Sequence, residues 1–116
     1  MLYALLFYNP PDTLEQLAPA QREARLAQMG AWRDELQRAG VFRSGLRLAP
    51  ADRAHSLRVR DGAVLVHDGP FAETKEILAG LVAIECADLD AALAWARRCP
   101  VVHGGTVEVR PEFQSH

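Results

Sequence analysis

Apolar and polar residues alternate along this chain with two different periods, and their order predicts an α+β domain. Leu2 to Tyr8 is an almost unbroken apolar run closed by Asn9-Pro10-Pro11, the pattern of a strand buried on both faces. Thr13-Leu14-Glu15-Gln16 matches a capping box, but Pro19 would interrupt a helix begun there. The main helix is therefore placed with Pro19 in its first turn, where a missing N–H costs nothing. Leu26, Met29, Trp32 or Arg33, and Leu36 then recur at helical spacing up to Gly40, a natural left-handed stop. Arg22, Arg25, Arg33 and Arg38 alternate with Glu23, Asp34 and Glu35 and read as a solvated, salt-bridged surface.

Val41 to Leu48 is a shorter strand candidate loosened by Gly45, followed by a loop at Ala49–Asp52. His55–Arg60 and Ala63–His67 flank Asp61-Gly62, a strong two-residue hairpin signal. That turn fixes the register: Val59 faces Val64 and Leu57 faces Val66 on one side, while Arg58 with Leu65 and Ser56 with His67 share the other. Gly69-Pro70 ends the hairpin, and Phe71–Leu78 reads as a polar loop or a single helical turn. Gly80–Cys86 is again strand-like. Asp88 caps a helix that carries Leu89, Ala92, Leu93 and Ala96 on one face and stops by Pro100. Thr106–Arg110 alternates as a last strand, closed by Pro111.

Strand, helix, strand with an inserted hairpin, strand, helix, strand is the ferredoxin-like split β-α-β plan. Its helices cover one sheet face only. A domain this small gains from covering the other, so a homodimer with two sheets face to face is expected.

Composition narrows the classes. The chain has 116 residues, 49% hydrophobic and 24% charged, which fits a single domain over 1–116. A net charge of -2 supplies no positive field for nucleic acid, and no apolar run approaches the ~20 residues that span a membrane. Met1-Leu2-Tyr3 opens straight into a strand without a basic leader, and Cys86 and Cys99 sit apart in apolar stretches. Both features point to core thiols in a reducing cytoplasm. No phosphate loop, dinucleotide fingerprint or nucleophile elbow occurs, so no cofactor is expected. None of His55, His67, His103 and His116 has a second ligand at helix or strand spacing, so no metal site is expected either. His103-Gly104-Gly105-Thr106 reads as a loop feeding the last strand.

Chemistry concentrates between His67 and Glu76. His67, Asp68, Glu73, Lys75 and Glu76 surround a stiff Gly-Pro-Phe bend at the end of a strand, and loops on a rigid scaffold hold groups in fixed geometry. Lys75 is the only lysine among 13 basic residues, so a compact ammonium stands where arginine is otherwise the default. The simpler alternative makes Asp68 a turn residue accepting backbone N–H bonds and Glu73–Glu76 a solvated turn.

Asp68-Gly69-Pro70-Phe71, continuing to Glu76, resembles the signature of the DGPF branch of the YCII-related domain family. Arg58–Gly62, Asp90–Ala96 and Val107–Pro111 fit the same pattern. The resemblance implies a dimeric α/β-barrel architecture. It also implies an association with sigma factors in some members, and in others a His-Asp pair whose histidine comes from the first helix. No histidine lies between Pro19 and Gly40, so that pair is not carried over. Two functions follow as expectations. One is a cofactor-independent proton-transfer or lyase-type enzyme acting on a small acidic or aromatic molecule. Asp68 would carry the proton, Lys75 and Arg58 would hold the anion, and His67 and Glu73 would line the pocket. The other is a non-catalytic dimer that senses a ligand or contacts a sigma factor.

Overall fold

A computed structural model describes residues 1–114. The Leu2–Asn9 run forms β1, whose odd positions Tyr3, Leu5 and Phe7 are buried and whose even positions are half-buried. The strand is thus closed on one face and partly covered on the other. Pro19 opens helix α1 (Pro19–Arg38), and the N–H of Ala18 is taken up by the Gln21 side chain. At its end Gly40 adopts φ +75°, and the N–H groups of Gly40 and Val41 return to the carbonyls of Gln37 and Leu36. This Schellman arrangement turns the chain sharply into β2 (Phe42–Arg47).

β5 (Ile77–Glu85) pairs with β1 and with β2, and β6 (Thr106–Pro111) pairs with the outer side of β1. The order is β2-β5-β1-β6 with every neighbouring pair antiparallel. Together with α1 and α2 (Leu89–Arg97), this is the expected ferredoxin-like α+β fold. Asp88 caps α2 by accepting the Ala91 N–H at 2.9 Å.

The core lies between the sheet and the two helices. Leu5 and Ile84 from the sheet meet Leu36 of α1, Ala92 and Ala96 of α2, and Cys99 just beyond. Trp32 of α1 sets its ring edge-on to Phe7, with centroids 5.9 Å apart, and donates its indole N–H to the Trp95 carbonyl at 3.1 Å. One side chain thereby ties β1, α1 and α2 together.

Two expectations change. β5 begins at Ile77, three residues before Gly80, because Ile77 and Leu78 pair with Asn9 and Tyr8 beyond a bulge in the β1 ladder. Leu89 is exposed; Ala92 and Ala96 carry the buried face of α2. The expected inserted hairpin is present and, among the described residues, stands apart from the main sheet. β3 (His55–Arg60) and β4 (Ala63–Asp68) join no other strand and form a two-stranded sheet of their own. This arm stretches the molecule to 49 × 48 × 19 Å, with a radius of gyration of 16.2 Å where a compact chain of this length has about 13 Å.

Cys99 is fully buried, and burial pushes its thiol up from 9.0 to about 11. The unfolded chain ionises this thiol first, so its contribution is intact below about pH 9 and is lost as pH rises through about 11. Urea midpoints should fall with pH in that window more steeply for the wild-type chain than for Cys99→Ala. Equal slopes would show that the thiol contributes nothing to the pH dependence.

Candidate functional site

The Asp61-Gly62 turn, with φ of 53° and 80°, sets the arm in the expected register. Arg58 and His67 lie on one face of the arm, as the pairing of Ser56 with His67 and Arg58 with Leu65 requires. Asp68 lies on the other. Its carboxylate is 3.1 Å from Nδ1 of His55 and accepts no backbone N–H among the described residues. The turn itself is latched through Gly69, whose N–H bonds to the Ala54 carbonyl and whose carbonyl accepts the Ser56 hydroxyl.

Glu73 and Lys75 are exposed on the segment leading to β5. None of Arg58, His67, Asp68, Glu73 and Lys75 lines any of the three cavities described below. Their neighbours Pro70, Phe71, Thr74 and Glu76 do line one, a cleft of about 570 Å³ shared with Tyr8, Leu48 and Leu78. The signature therefore shapes a surface through its bend and apolar residues. Among the described residues, no group of three or more His, Cys, Asp or Glu is placed to hold a metal, and no helix is long and apolar enough to cross a membrane.

His55 was not among the residues singled out from sequence, although the signal was present. Extending the hairpin register one step beyond Ser56 and His67 sets His55 opposite Asp68. A carboxylate on one ring nitrogen orients an imidazole and leaves the other nitrogen free for proton transfer. Both side chains are open to solvent, 64% and 91% exposed.

A second cavity, about 420 Å³, lies between α1 and the helix-facing side of the sheet. Phe7, Met29, Trp32 and Val82 give it apolar walls, and Gly45 and Gly80 let the backbone approach closely. A Cβ on Gly80 would meet the Leu46 carbonyl oxygen at 2.6 Å, so this position has room for no side chain. Arg25 and Arg33 of α1 and Arg47 of β2 also line the cavity, and among the described residues none of the three is ion-paired. Among the described residues the expected salt-bridged helix surface is not formed: Glu35 instead meets Arg98 of the segment after α2. The Asn9 carboxamide oxygen is buried close against Gly105 and has no hydrogen-bond partner among the described residues. A third, smaller hollow of about 70 Å³ adjoins the loop at Pro10–Glu15.

Thr13 and Leu14 edge the cavity under α1, and Arg22 fixes their loop. Its guanidinium donates to the carbonyls of Leu14 at 2.9 Å and of Glu15 and Leu17 at 3.3 Å. Arg22→Ala should cost about 1 kcal/mol and speed proteolytic cutting within residues 10–18. An unchanged rate of cutting at Leu14 or Leu17 in limited thermolysin digestion would mean that the loop is held by other contacts.

Across residues 1–114 the chain matches the family model for the YCII-related domain. The chain belongs to the YCII-related family. An uncharacterised protein of Rhizobium meliloti (strain 1021) is 39% identical over 113 residues, covering 96% of this chain and 91% of the relative. In this YCII-related chain the first helix presents arginines to the cavity, and the histidine beside the signature aspartate comes from β3.

Proposed function

We propose that this YCII-related protein binds a small anionic molecule with an apolar or aromatic body in the cavity between α1 and the sheet. The observation that carries this reading is that three arginines, Arg25, Arg33 and Arg47, with no ion-pair partner among the described residues, line a hollow whose other walls are mostly apolar. Arginine forks match carboxylate and phosphate oxygens, and the volume of about 420 Å³ falls in the range of small-molecule sites, about 300–1,000 Å³.

The lining contains no carboxylate, imidazole, amine or thiol, so the cavity by itself suits binding better than proton transfer. Ligand sensing, with a sigma factor as the regulated partner, is the regulatory form of this reading. A second reading is cofactor-independent proton transfer on such a molecule. It is favoured by the His55–Asp68 pair, with Asp68 orienting the imidazole rather than carrying the proton itself.

A thermal-shift screen against small carboxylates, phenols and phosphates tests the binding reading. A ligand at ~100 times its dissociation constant adds ~2.7 kcal/mol, which raises the melting midpoint by several degrees. The expected result is a shift with aromatic carboxylates or phosphate esters and none with neutral phenols. A screen without any shift would defeat the reading.

A further inference from the structure

We propose that the ligand of the cavity under α1 is an elongated dianion, with acidic groups at opposite ends of an apolar or aromatic body. The inference rests on the anion-binding reading above and adds to it the number and placement of the charges.

The helix sorts its two cavity arginines onto different flanks. At about 3.6 residues per turn, residues seven apart lie nearly in line, so Arg25 and Trp32 form one row and Leu26 and Arg33 another. Successive residues are about 100° apart around the axis, which sets the two rows on either side of the core-facing stripe. Trp32 donates its indole N–H to the Trp95 carbonyl, so the Arg25 row is the flank toward α2. The Arg33 row is then the flank toward β2, the edge strand that carries Arg47.

The sheet and the core place the same two poles. Arg47 stands at the β2 end of a row that crosses the sheet through Gly80 and Phe7 to Val107, so two strand spacings, about 10 Å, separate it from β1. On the other flank Val101 of the Pro100–Val102 turn lines the cavity, and the charge of Arg25 reaches the Cys99 thiol beside it. Burial pushes that thiol up, and a backbone hydrogen bond from Val101 and the Arg25 charge partly draw it back. Along the axis Arg25 and Arg33 are eight residues, about 12 Å, apart.

Between the poles the lining is apolar. Met29 is four residues from each of Arg25 and Arg33, and Phe7 and Val82 face it from the two inner strands. A ligand that reaches both poles must lay an uncharged body across these three side chains. A single acidic group, whose oxygens sit side by side, engages one pole and leaves the cation at the other without a partner.

Titration calorimetry on the full chain tests this with three probes that share a biphenyl body. One is biphenyl dicarboxylate with its carboxylates at the far para ends, the second its ortho,ortho′ isomer with the two carboxylates side by side, and the third para-phenylbenzoate with only one. The para,para′ dianion should bind at least about tenfold more tightly than either of the others, through the second charged contact. Arg25→Gln should weaken that dianion by about tenfold, to the affinity of the wild-type chain for the monoacid, and Arg25→Lys should recover part of the loss by restoring the charge. Equal binding of the para,para′ dianion and the monoacid would overturn the two-headed ligand and leave the anion-binding reading standing. Equal or tighter binding of the ortho,ortho′ isomer would overturn it in favour of one merged cationic patch. A para,para′ dianion indifferent to Arg25→Gln would overturn the placement of the second head. Failure of all three probes to bind would overturn the proposal together with the reading on which it rests.

Discussion

Replacing Trp32 with alanine is expected to remove about 3–5 kcal/mol of stability, a large part of the roughly 5–15 kcal/mol that holds a domain of this size folded. The effect is large because the indole does three things at once. It fills the core at 4% exposure, packs edge-on against Phe7 and donates its N–H to the Trp95 carbonyl, joining α1 to α2. Trp32→Phe keeps most of the apolar area but leaves the Trp95 carbonyl without its donor, so it should cost about 1–2 kcal/mol. Urea unfolding separates the two, with the midpoint falling at unchanged slope. If Trp32→Ala unfolded within 1 kcal/mol of the wild-type chain, the packing of α1 on β1 would not hold the fold in the way described.

The second large effect concerns binding. Arg25→Gln, Arg33→Gln and Arg47→Gln should each weaken an anionic ligand by about tenfold or more, since a hydrogen bond to a charged group contributes ~1.5–3 kcal/mol. The three changes lie at the cavity edge and break no ion pair among the described residues, so melting temperatures without ligand should stay close to wild type. Lys75→Met and Arg58→Gln, outside the cavity, should leave affinity unchanged. Titration calorimetry with a ligand found by the thermal screen measures all five. Loss of binding in Lys75→Met with full binding in the three arginine variants would return the site to the signature loop.

Most of the fold was legible because local chemistry and global pattern agree. Pro19 at the helix start, Gly40 at its end and Asp88 before α2 each have a cap geometry that few other residues supply. The Asp61-Gly62 turn fixed the hairpin register to the residue. Periodicity could not decide whether that hairpin joins the main sheet, because a strand's side-chain pattern is the same whether or not its outer edge is paired. It also hid the true start of β5: Ile77 and Leu78 follow five polar or small residues and look like the tail of a loop.

The arginine cavity was less legible for a physical reason. Long basic side chains on a helix are normally solvated, and their apolar stems run along a core edge without signalling a site. A signal nevertheless existed. Arg25, Met29, Trp32 and Leu36 are spaced four, three and four apart, so Arg25 stands in the apolar stripe itself, and Arg33 follows Leu26 by seven residues. The residues near Asp68 attracted attention through their density of charge. That density settles neither enclosure nor which face of a hairpin each group occupies.

The central claim is where a small anion binds. Amide chemical-shift mapping of the 15N-labelled chain during titration with an aromatic carboxylate tests it directly. Binding under α1 should move the amides of Phe7, Gly45, Gly80 and Val82 together with Met29 to Arg33, and leave His55 and Asp68 to Lys75 in place. Shifts confined to the arm base and the Asp68–Glu76 segment, with the α1 and sheet amides unmoved, would contradict it.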